Sequence, residues 1–420
     1  MKPKIFILSI YLILANIIYA FKTNISADAR LKVENFHNDT VSTYSTASYF
    51  RARLNFDLTS EIYKIYFQLQ DSRILGDQEN SPGFSNANNS AANFHQVYAE
   101  LNGAFGGKNN IRFGRFEMPL GKQRLFGRSG WDNYGRSFEG VSSNQKTNRG
   151  NIHFFHLINS ELYEMNDQFD YTIDGFYGST KIGIVKKTSK QTIESENKTL
   201  KQNPFYIDYY LYNENIVLTP EANKKQRKTL GFRVNKNFKN FSLESEFAYQ
   251  SGTYYSEDIE ATLSSINIEI PIMFTSYVNS ISFSKEYLSG DEYLLGGSDG
   301  VLSGFAKPFG SGHGYHGYYD NPLHKKYLNN SHKGLNEWFV KTSHTLFSNT
   351  DVSIKYHDFK DAIDSVGYGR ELDFIFSRNL PFGGKIIQGF SIYFPEDGDR
   401  LEACLLYTSD AADDSLRGDP

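Results

Sequence analysis

The charged residues best placed to bind a ligand lie between residues 111 and 150. Eight are basic and three are acidic: Arg112, Arg115, Lys122, Arg124, Arg128, Arg136, Lys146 and Arg149 against Glu117, Asp132 and Glu139. Arginine suits anion binding because its guanidinium stays charged and pairs with a carboxylate through two parallel hydrogen bonds. Four glycines between 121 and 135 allow tight turns. Segment 117–135 is therefore predicted to fold inward as a constricting loop.

The elements around this stretch alternate apolar and polar residues from residue 25 onward. Such alternation is typical of strands whose two faces meet different surroundings. In segment 50–58, phenylalanine, alanine and leucine alternate with Arg51, Arg53, Asn55 and Asp57. The next segment places Lys64 on its polar face. These three cations are predicted to face the same interior as the basic cluster.

A membrane β-barrel explains the alternation better than a soluble β-sandwich, which would alternate too. The strands have the roughly ten residues that a tilted crossing of a bilayer needs. Aromatic residues, 15% of the chain, gather near strand ends. The mean hydropathy of -0.50 is too polar for a bundle of membrane helices. A spanning sheet must also close, since an open edge leaves backbone groups unpaired in hydrocarbon.

Seventeen strands are predicted before residue 396. They lie near 25–36, 46–58, 62–71, 93–102, 110–116, 136–143, 150–158, 170–177, 180–187, 229–236, 241–250, 260–270, 274–287, 335–346, 351–359, 370–378 and 385–394. Short connections such as 59–61 and 103–109 then fall on the periplasmic side, and 72–92, 117–135 and 288–334 fall outside. This parity requires that 205–212 is a loop or replaces a neighbouring strand.

Both chain ends are predicted to lie outside the barrel of residues 21–402. Residues 1–20 have the basic start and apolar run of a secretory signal peptide, with an uncleaved membrane anchor as the alternative. Residues 403–420 do not alternate, contain the only cysteine, Cys404, and resemble a translated sequencing adapter. The native eighteenth strand is therefore expected to be missing, which leaves the first strand without its closing partner.

Three stretches carry a resemblance to a known family. They read Phe67-Gln68-Leu69-Gln70-Asp71-Ser72-Arg73, then Phe113-Gly114-Arg115-Phe116-Glu117-Met118-Pro119-Leu120-Gly121-Lys122, then Trp131-Asp132-Asn133-Tyr134-Gly135-Arg136-Ser137-Phe138-Glu139-Gly140. In order and spacing they resemble the alginate export family of bacterial outer-membrane barrels. The resemblance implies an eighteen-stranded monomer in outer-membrane lipid, with an arginine-lined pore for an anionic polysaccharide or other anionic solute. It also implies periplasmic export partners.

The function predicted from the residues is a passive, anion-preferring channel, because a ring of cations lowers the entry barrier for anions. The expected pore residues are Arg51, Arg53, Lys64, Arg112, Arg115, Lys122, Arg124, Arg128 and Arg136, supported by Glu117, Asp132 and Glu139. The alternative for each cation is a salt bridge that only braces the barrel interior.

Other function classes have less support. A nutrient-uptake porin for small carboxylates or hydrophobic compounds is the nearest alternative, and an adhesive barrel is another. A barrel hydrolase would have to use Ser353, His357 and Asp373, without a flanking motif. No metal or other cofactor is expected, although His313, His316, Asp320 and His324 leave a metal site open. A net charge of -4 gives no attraction to nucleic acid.

Overall fold

A computed structural model describes most of the chain. The described residues are 22–38, 43–76, 90–104, 106–161, 170–183, 205–217, 224–272, 279–292, 300–319, 333–346, 350–381, 383–396 and 402–411. The predicted signal peptide lies outside them. Within this part of the chain no helix has the length and apolarity to cross a membrane.

One sheet of nineteen strands makes up the fold. The strands are β1 Lys22–Asn38, β2 Thr43–Thr59, β3 Tyr63–Ile74, β4 Ser90–Asn102, β5 Asn109–Phe116, β6 Phe138–Lys146, β7 Gly150–Glu161, β8 Asp170–Ile182, β9 Phe205–Val217, β10 Lys224–Asn237, β11 Ser242–Tyr254, β12 Glu257–Pro271, β13 Ser280–Leu288, β14 Val301–Leu302, β15 Leu335–Leu346, β16 Thr350–Lys360, β17 Gly367–Asn379, β18 Gly384–Pro395 and β19 Glu402–Ala411. The eighteen long strands pair antiparallel with their neighbours, whereas the two-residue β14 pairs parallel with β12.

The pairings return to their starting point at β1. This strand pairs with β2 along its whole length and with β19 from Arg30, opposite Asp410, to Asn38, opposite Glu402. Residues 22–29 pair with β2 alone among the described residues. The ring of eighteen long strands is therefore complete over one half of β1 only.

The pairing of β1 with β19 corrects, in part, the expectation that β1 would lack its closing partner. Glu402–Ala411 forms β19 and pairs with both β18 and β1, although its sequence does not alternate. Backbone pairing requires only an extended chain within reach, because the hydrogen bonds join main-chain groups. The foreign origin of 403–420 stays a prediction, and 412–420 lie outside the described residues.

The region between 170 and 217 also differs from the predicted strands. Residues 170–182 form one strand, β8, where two were predicted near 170–177 and 180–187. Residues 205–217 form β9, which pairs with β8 and β10. The second predicted strand was therefore placed too early, and 205–212 replaces it. Because one strand takes the place of another, the number of strands is unchanged, and so is the predicted alternation of periplasmic and external connections.

The two faces of each strand meet different surroundings, as the alternation predicted. Leu211, Leu230 and Tyr249 lie opposite one another on β9, β10 and β11, and all three are exposed on the outer face. Their neighbours Tyr210 and Ala248 are buried on the inner face. An apolar outer face over a polar interior is what a barrel in lipid requires, and it excludes the sandwich alternative.

Leu230→Arg tests this orientation. The side chain is 57% exposed in the middle of β10, so a lipid-embedded barrel should lose about 2–4 kcal/mol of unfolding free energy. The measurement is a denaturant titration of barrels folded into lipid vesicles. Gln226→Arg, on the same face but near the end of the strand, is the control at a different depth and should cost about 0–1 kcal/mol. Equal costs at both positions would contradict the membrane placement.

Candidate functional site

Two connecting segments pack inside the barrel. The first lumen segment, residues 117–137, joins β5 to β6, and the second lumen segment, residues 300–319, lies between β13 and β15. Both contact inward-facing side chains of the strands, so the predicted inward fold of 117–135 is confirmed. The second lumen segment was not expected, since its glycine-rich sequence only suggested an external loop.

The inner faces of β1 and β2 hold one side of the first lumen segment. Arg30 donates from Nη1 to the carbonyl oxygen of Gly130 at 2.6 Å and from Nη2 to that of Asp132 at 2.8 Å. Arg51 donates to the same two oxygens, at 3.4 Å each, and is 1% exposed. We call Arg30, Lys32, Arg51 and Arg53 the basic wall. The buried guanidiniums of Arg30 and Arg51 bind backbone carbonyls and hold the segment in place.

Arg124 fixes the opposite side of the first lumen segment. Its Nε donates to Glu246 of β11 at 2.9 Å, and its Nη1 pairs with Glu286 of β13. The guanidinium also lies 4.1 Å from the ring centroid of Tyr315 in the second segment. Arg124 is buried, so the structure places this expected pore residue in a bridge across the barrel.

Inward carboxylates line β11 to β17; we call Glu246, Glu286, Glu337, Glu371 and Asp373 the acidic wall. Three of them, Glu286, Glu337 and Glu371, hold the second lumen segment. Lys307 lies 3.1 Å from Glu286, and His316 Nδ1 lies 2.5 Å from Glu337. The amides of Tyr318 and Tyr319 donate to one oxygen of Glu371 at 2.6 and 2.9 Å. Gly317, with a φ of 89°, gives these amides their direction. The acidic wall thus binds donors, as the basic wall binds acceptors.

Burial controls the charge of the second lumen segment. It lowers the pKa of Lys307 to about 7, and the nearby charge of Arg124 adds to this effect. Burial, followed by the charge of Lys307, lowers the pKa of His316 to about 4. A neutral His316 fits the geometry, because its Nε2 lies 2.7 Å from the Lys307 ammonium and must accept a hydrogen bond.

The two segments meet inside the barrel, next to aromatic side chains of β6, β7, β8 and β9. Phe126 and Phe309 form a parallel bridge, and the amide of Gly127 donates to the Phe309 carbonyl at 2.7 Å. Arg136 donates to the same carbonyl at 2.6 Å. The Phe309 ring lies among aromatic rings of the first segment and the strands. The two segments are therefore joined to each other inside the lumen.

Four cations of the expected pore set, all in the described part of the chain, remain partly exposed at the lumen surface beside a carboxylate that is more buried or about equally buried. The Arg112 side chain is 30% exposed and its partner Glu100 is 9% exposed; the values for Arg128 and Glu117 are 26% and 11%. Arg53 also approaches Glu117, and Lys64 pairs with Asp57. Lys122 is exposed as well. Arg112 and Arg128 are therefore more exposed to the lumen than the carboxylates with which they pair.

Glu117 is the shared carboxylate of this group. It accepts a hydrogen bond from His95 at 3.0 Å and lies within 3.7 Å of Arg53 and 4.0 Å of Arg128. Burial alone would raise the pKa of Glu117, but the His95 hydrogen bond and the charge of Arg53 hold it below its ordinary value. These contacts agree with the predicted role of Glu117 as a carboxylate that supports the cations. Asp132 differs, because Arg30 and Arg51 of the basic wall bind its backbone carbonyl.

Arg115 and Glu139 do not face the lumen, which corrects their predicted place in the pore. They lie opposite each other on β5 and β6, with Val97 opposite Arg115 on β4. Val97 and Phe113 are exposed on the outer face, and Arg115 shares that face. The ion pair at 3.0 Å is therefore on the outside of the barrel. The alternation from Phe113 to Arg115 could have revealed this, since residues two apart share a face.

The residues of the hydrolase alternative are not assembled. Ser353 and His357 share the inner face of β16 four residues apart, roughly 13 Å along the strand. His357 instead lies 2.6 Å from Glu337 and 3.5 Å from Asp373. Among the described residues no group of three metal-ligating side chains is present, and the predicted loop residues Asp320 and His324 lie outside that part.

An eighteen-stranded barrel with an apolar exterior and a polar lumen crossed by inward segments defines a channel of the outer membrane. Solved structures of this architecture are similar along their whole length. OccAB4 of Acinetobacter baumannii is 11% identical with a TM-score of 0.58, over 93% of this chain and 97% of that one. OccK9 (OpdG) of Pseudomonas aeruginosa is 9% identical with a TM-score of 0.60, over 93% and 97%. OprD of the same organism is 11% identical with a TM-score of 0.53, over 92% and 94%.

The chain belongs to the alginate export family, whose model matches residues 21–362. A search among curated proteins gave no match. The family places the chain in the bacterial outer membrane, where its exterior meets lipid and its lumen meets solutes. Family and fold are those of outer-membrane channels, and the predicted family is confirmed.

Proposed function

We propose that this chain is a passive, monomeric channel for anionic solutes. The observation that carries the proposal is a difference in exposure at the lumen surface: Arg112 and Arg128 are more exposed than the carboxylates with which they pair. A solute in the lumen then meets the cation first. The buried carboxylates hold the guanidiniums in place, and contacts to several weak cationic sites let an anion leave as well as enter.

The pore residues are proposed to be Arg53, Lys64, Arg112, Lys122 and Arg128. The other inward cations of the expected set, Arg51, Arg124 and Arg136, have their guanidiniums engaged by carbonyls or carboxylates that hold the lumen segments. These three are proposed to shape the passage, while the first five set its charge preference.

Small anions are favoured over a polymer, because two segments cross the lumen and contact each other at Phe126 and Phe309. Export of an anionic polysaccharide, aided by periplasmic partners, is the second candidate, favoured by membership of the family. Liposomes containing the protein separate the two candidates when challenged with uronate oligomers of increasing length. Entry of short oligomers alone supports small solutes, whereas entry of long ones supports the polymer.

The Arg112→Gln/Arg128→Gln double variant tests the charge preference. Two charges 4 Å apart in water interact by about 1 kcal/mol, so each lost cation should lower the anion-to-cation permeability ratio by about fivefold. The measurement is the reversal potential of single channels in a planar bilayer under a KCl gradient. Arg115→Gln is the matched control, because it removes an arginine from the outer face. A cation-selective wild type, or an unchanged reversal potential in the double variant, would refute the proposal.

A further inference from the structure

Arg136 contacts both lumen segments at once. Its Nη1 lies 2.6 Å from the Phe309 carbonyl oxygen in the second segment and 3.2 Å from the Gly127 carbonyl oxygen in the first. Its own amide donates to the carbonyl of Arg128 at 2.8 Å. One side chain therefore joins the outgoing and returning halves of the first segment and ties them to the second.

The charge of Arg136 is held mainly by backbone carbonyls. Among the described residues no salt bridge of Arg136 is found, and the carboxylate that acts on its guanidinium, Asp132, does so through its charge alone. This distinguishes Arg136 from Arg124, whose loss would leave Glu246 without its arginine and Glu286 with Lys307 alone. Loss of Arg136 would instead remove its hydrogen bonds to the Gly127 and Phe309 carbonyls and leave the ion pairs of both walls in place.

Phe309 is the residue through which Arg136 holds the two lumen segments together. Its carbonyl accepts from Gly127 and Arg136, while its ring packs 5.0 Å from Phe126 and 5.4 Å from Phe138. The ring is buried, 4% exposed, at the junction of the two segments. Weakening the carbonyl contact is expected to free the second segment from the first at this junction.

We propose that Arg136 is a positioning residue that clamps the two lumen segments together and thereby sets the width of the passage. The proposal rests on the proposed channel function. Both contacts use the N–H groups of one nitrogen, Nη1, whose directions the planar guanidinium fixes. A lysine side chain ends one bond earlier and its ammonium rotates freely, so it keeps the charge but not this geometry. Arg136→Lys therefore separates the clamp from the charge.

Single-channel recording of Arg136→Lys and Arg136→Gln tests the clamp. Both variants should raise the frequency of high-conductance openings by about tenfold, equal to about 1.4 kcal/mol. The reversal potential of Arg136→Lys should stay that of the wild type. Arg128→Gln, a charge loss in the same segment, should shift the reversal potential without new openings. Retention of strand content and of compact mobility in gels shows that each variant has folded.

A disulfide across the same junction provides the second measurement. The amide of Ser311 donates to the carbonyl of Gln123 at 2.9 Å, so cysteines at these positions are close enough to be bridged. In a Cys404→Ser background, oxidised Gln123→Cys/Ser311→Cys should abolish the extra openings of Arg136→Lys, and reduction should restore them. Arg136→Lys openings equal to wild type, or openings insensitive to oxidation, would overturn the clamp. A wild type that forms no channels would instead overturn the proposed function.

Discussion

Arg124→Ala is expected to release the first lumen segment from the acidic wall and to lower the free energy of unfolding by about 3–5 kcal/mol. Arg124 is buried and pairs with Glu246 and Glu286, which come from strands more than a hundred residues away in the chain. Removal of the cation leaves two neighbouring carboxylates in a poorly hydrated site. Their repulsion should push the segment away and widen the passage.

Two measurements check the Arg124→Ala result. Denaturant unfolding in lipid vesicles reports the free energy, and single-channel recording should show a larger unit conductance than the wild type. Lys122→Ala is the control, two residues away on the same segment, exposed and outside the carboxylate site. It should alter stability by less than about 0.5 kcal/mol. A stable Arg124→Ala variant with wild-type conductance would show that the bridge does not hold the segment.

Glu337→Ala is expected to have a comparable effect on the second lumen segment, about 3–5 kcal/mol. Glu337 is 1% exposed and its two oxygens lie 2.5 Å from His316 Nδ1 and 2.6 Å from His357 Nδ1. Truncation leaves both ring nitrogens without their acceptor in a buried site, which is costly for each. It also removes the contact that joins the segment to β15.

Loss of this contact can be followed by limited proteolysis of residues 300–319 in folded barrels, together with denaturant unfolding. Glu269→Ala is the matched control: it removes a carboxylate from β12, where Glu269 accepts a hydrogen bond from Ser280. That variant should lose about 1 kcal/mol and keep the segment protected. Equal protection in Glu337→Ala would mean that Glu371 and Lys307 hold the segment without it.

The alternation of residues was enough to predict the barrel and the positions of most strands, whereas the glycines and charges of segment 117–135 predicted its inward fold. The reason is local. Because one face of each strand meets lipid and the other meets water, apolar and polar residues alternate along it. The sequence of each strand therefore indicates which of its faces is outward. The face of Arg115 was in principle readable in the same way, because it follows Phe113 by two residues.

Contacts across the barrel were not readable from the sequence. Nothing local pairs Arg124 with Glu246 and Glu286, or brings Phe309 to Phe126, because these residues are joined only after the strands close and the segments fold inward. The pairing of β19 with β1 likewise depends on the reach of the chain and not on its side-chain pattern.

The sequence by itself determined the kind of barrel and the supply of charges inside it. The tertiary structure decided which charges a solute can meet. Arg51 and Arg124 are buried and bind groups that hold the lumen segments in place. Arg112 and Arg128 are partly exposed and more accessible than their carboxylates. The physical reason is that exposure and pairing are properties of the closed barrel: both depend on partners that are distant in the chain.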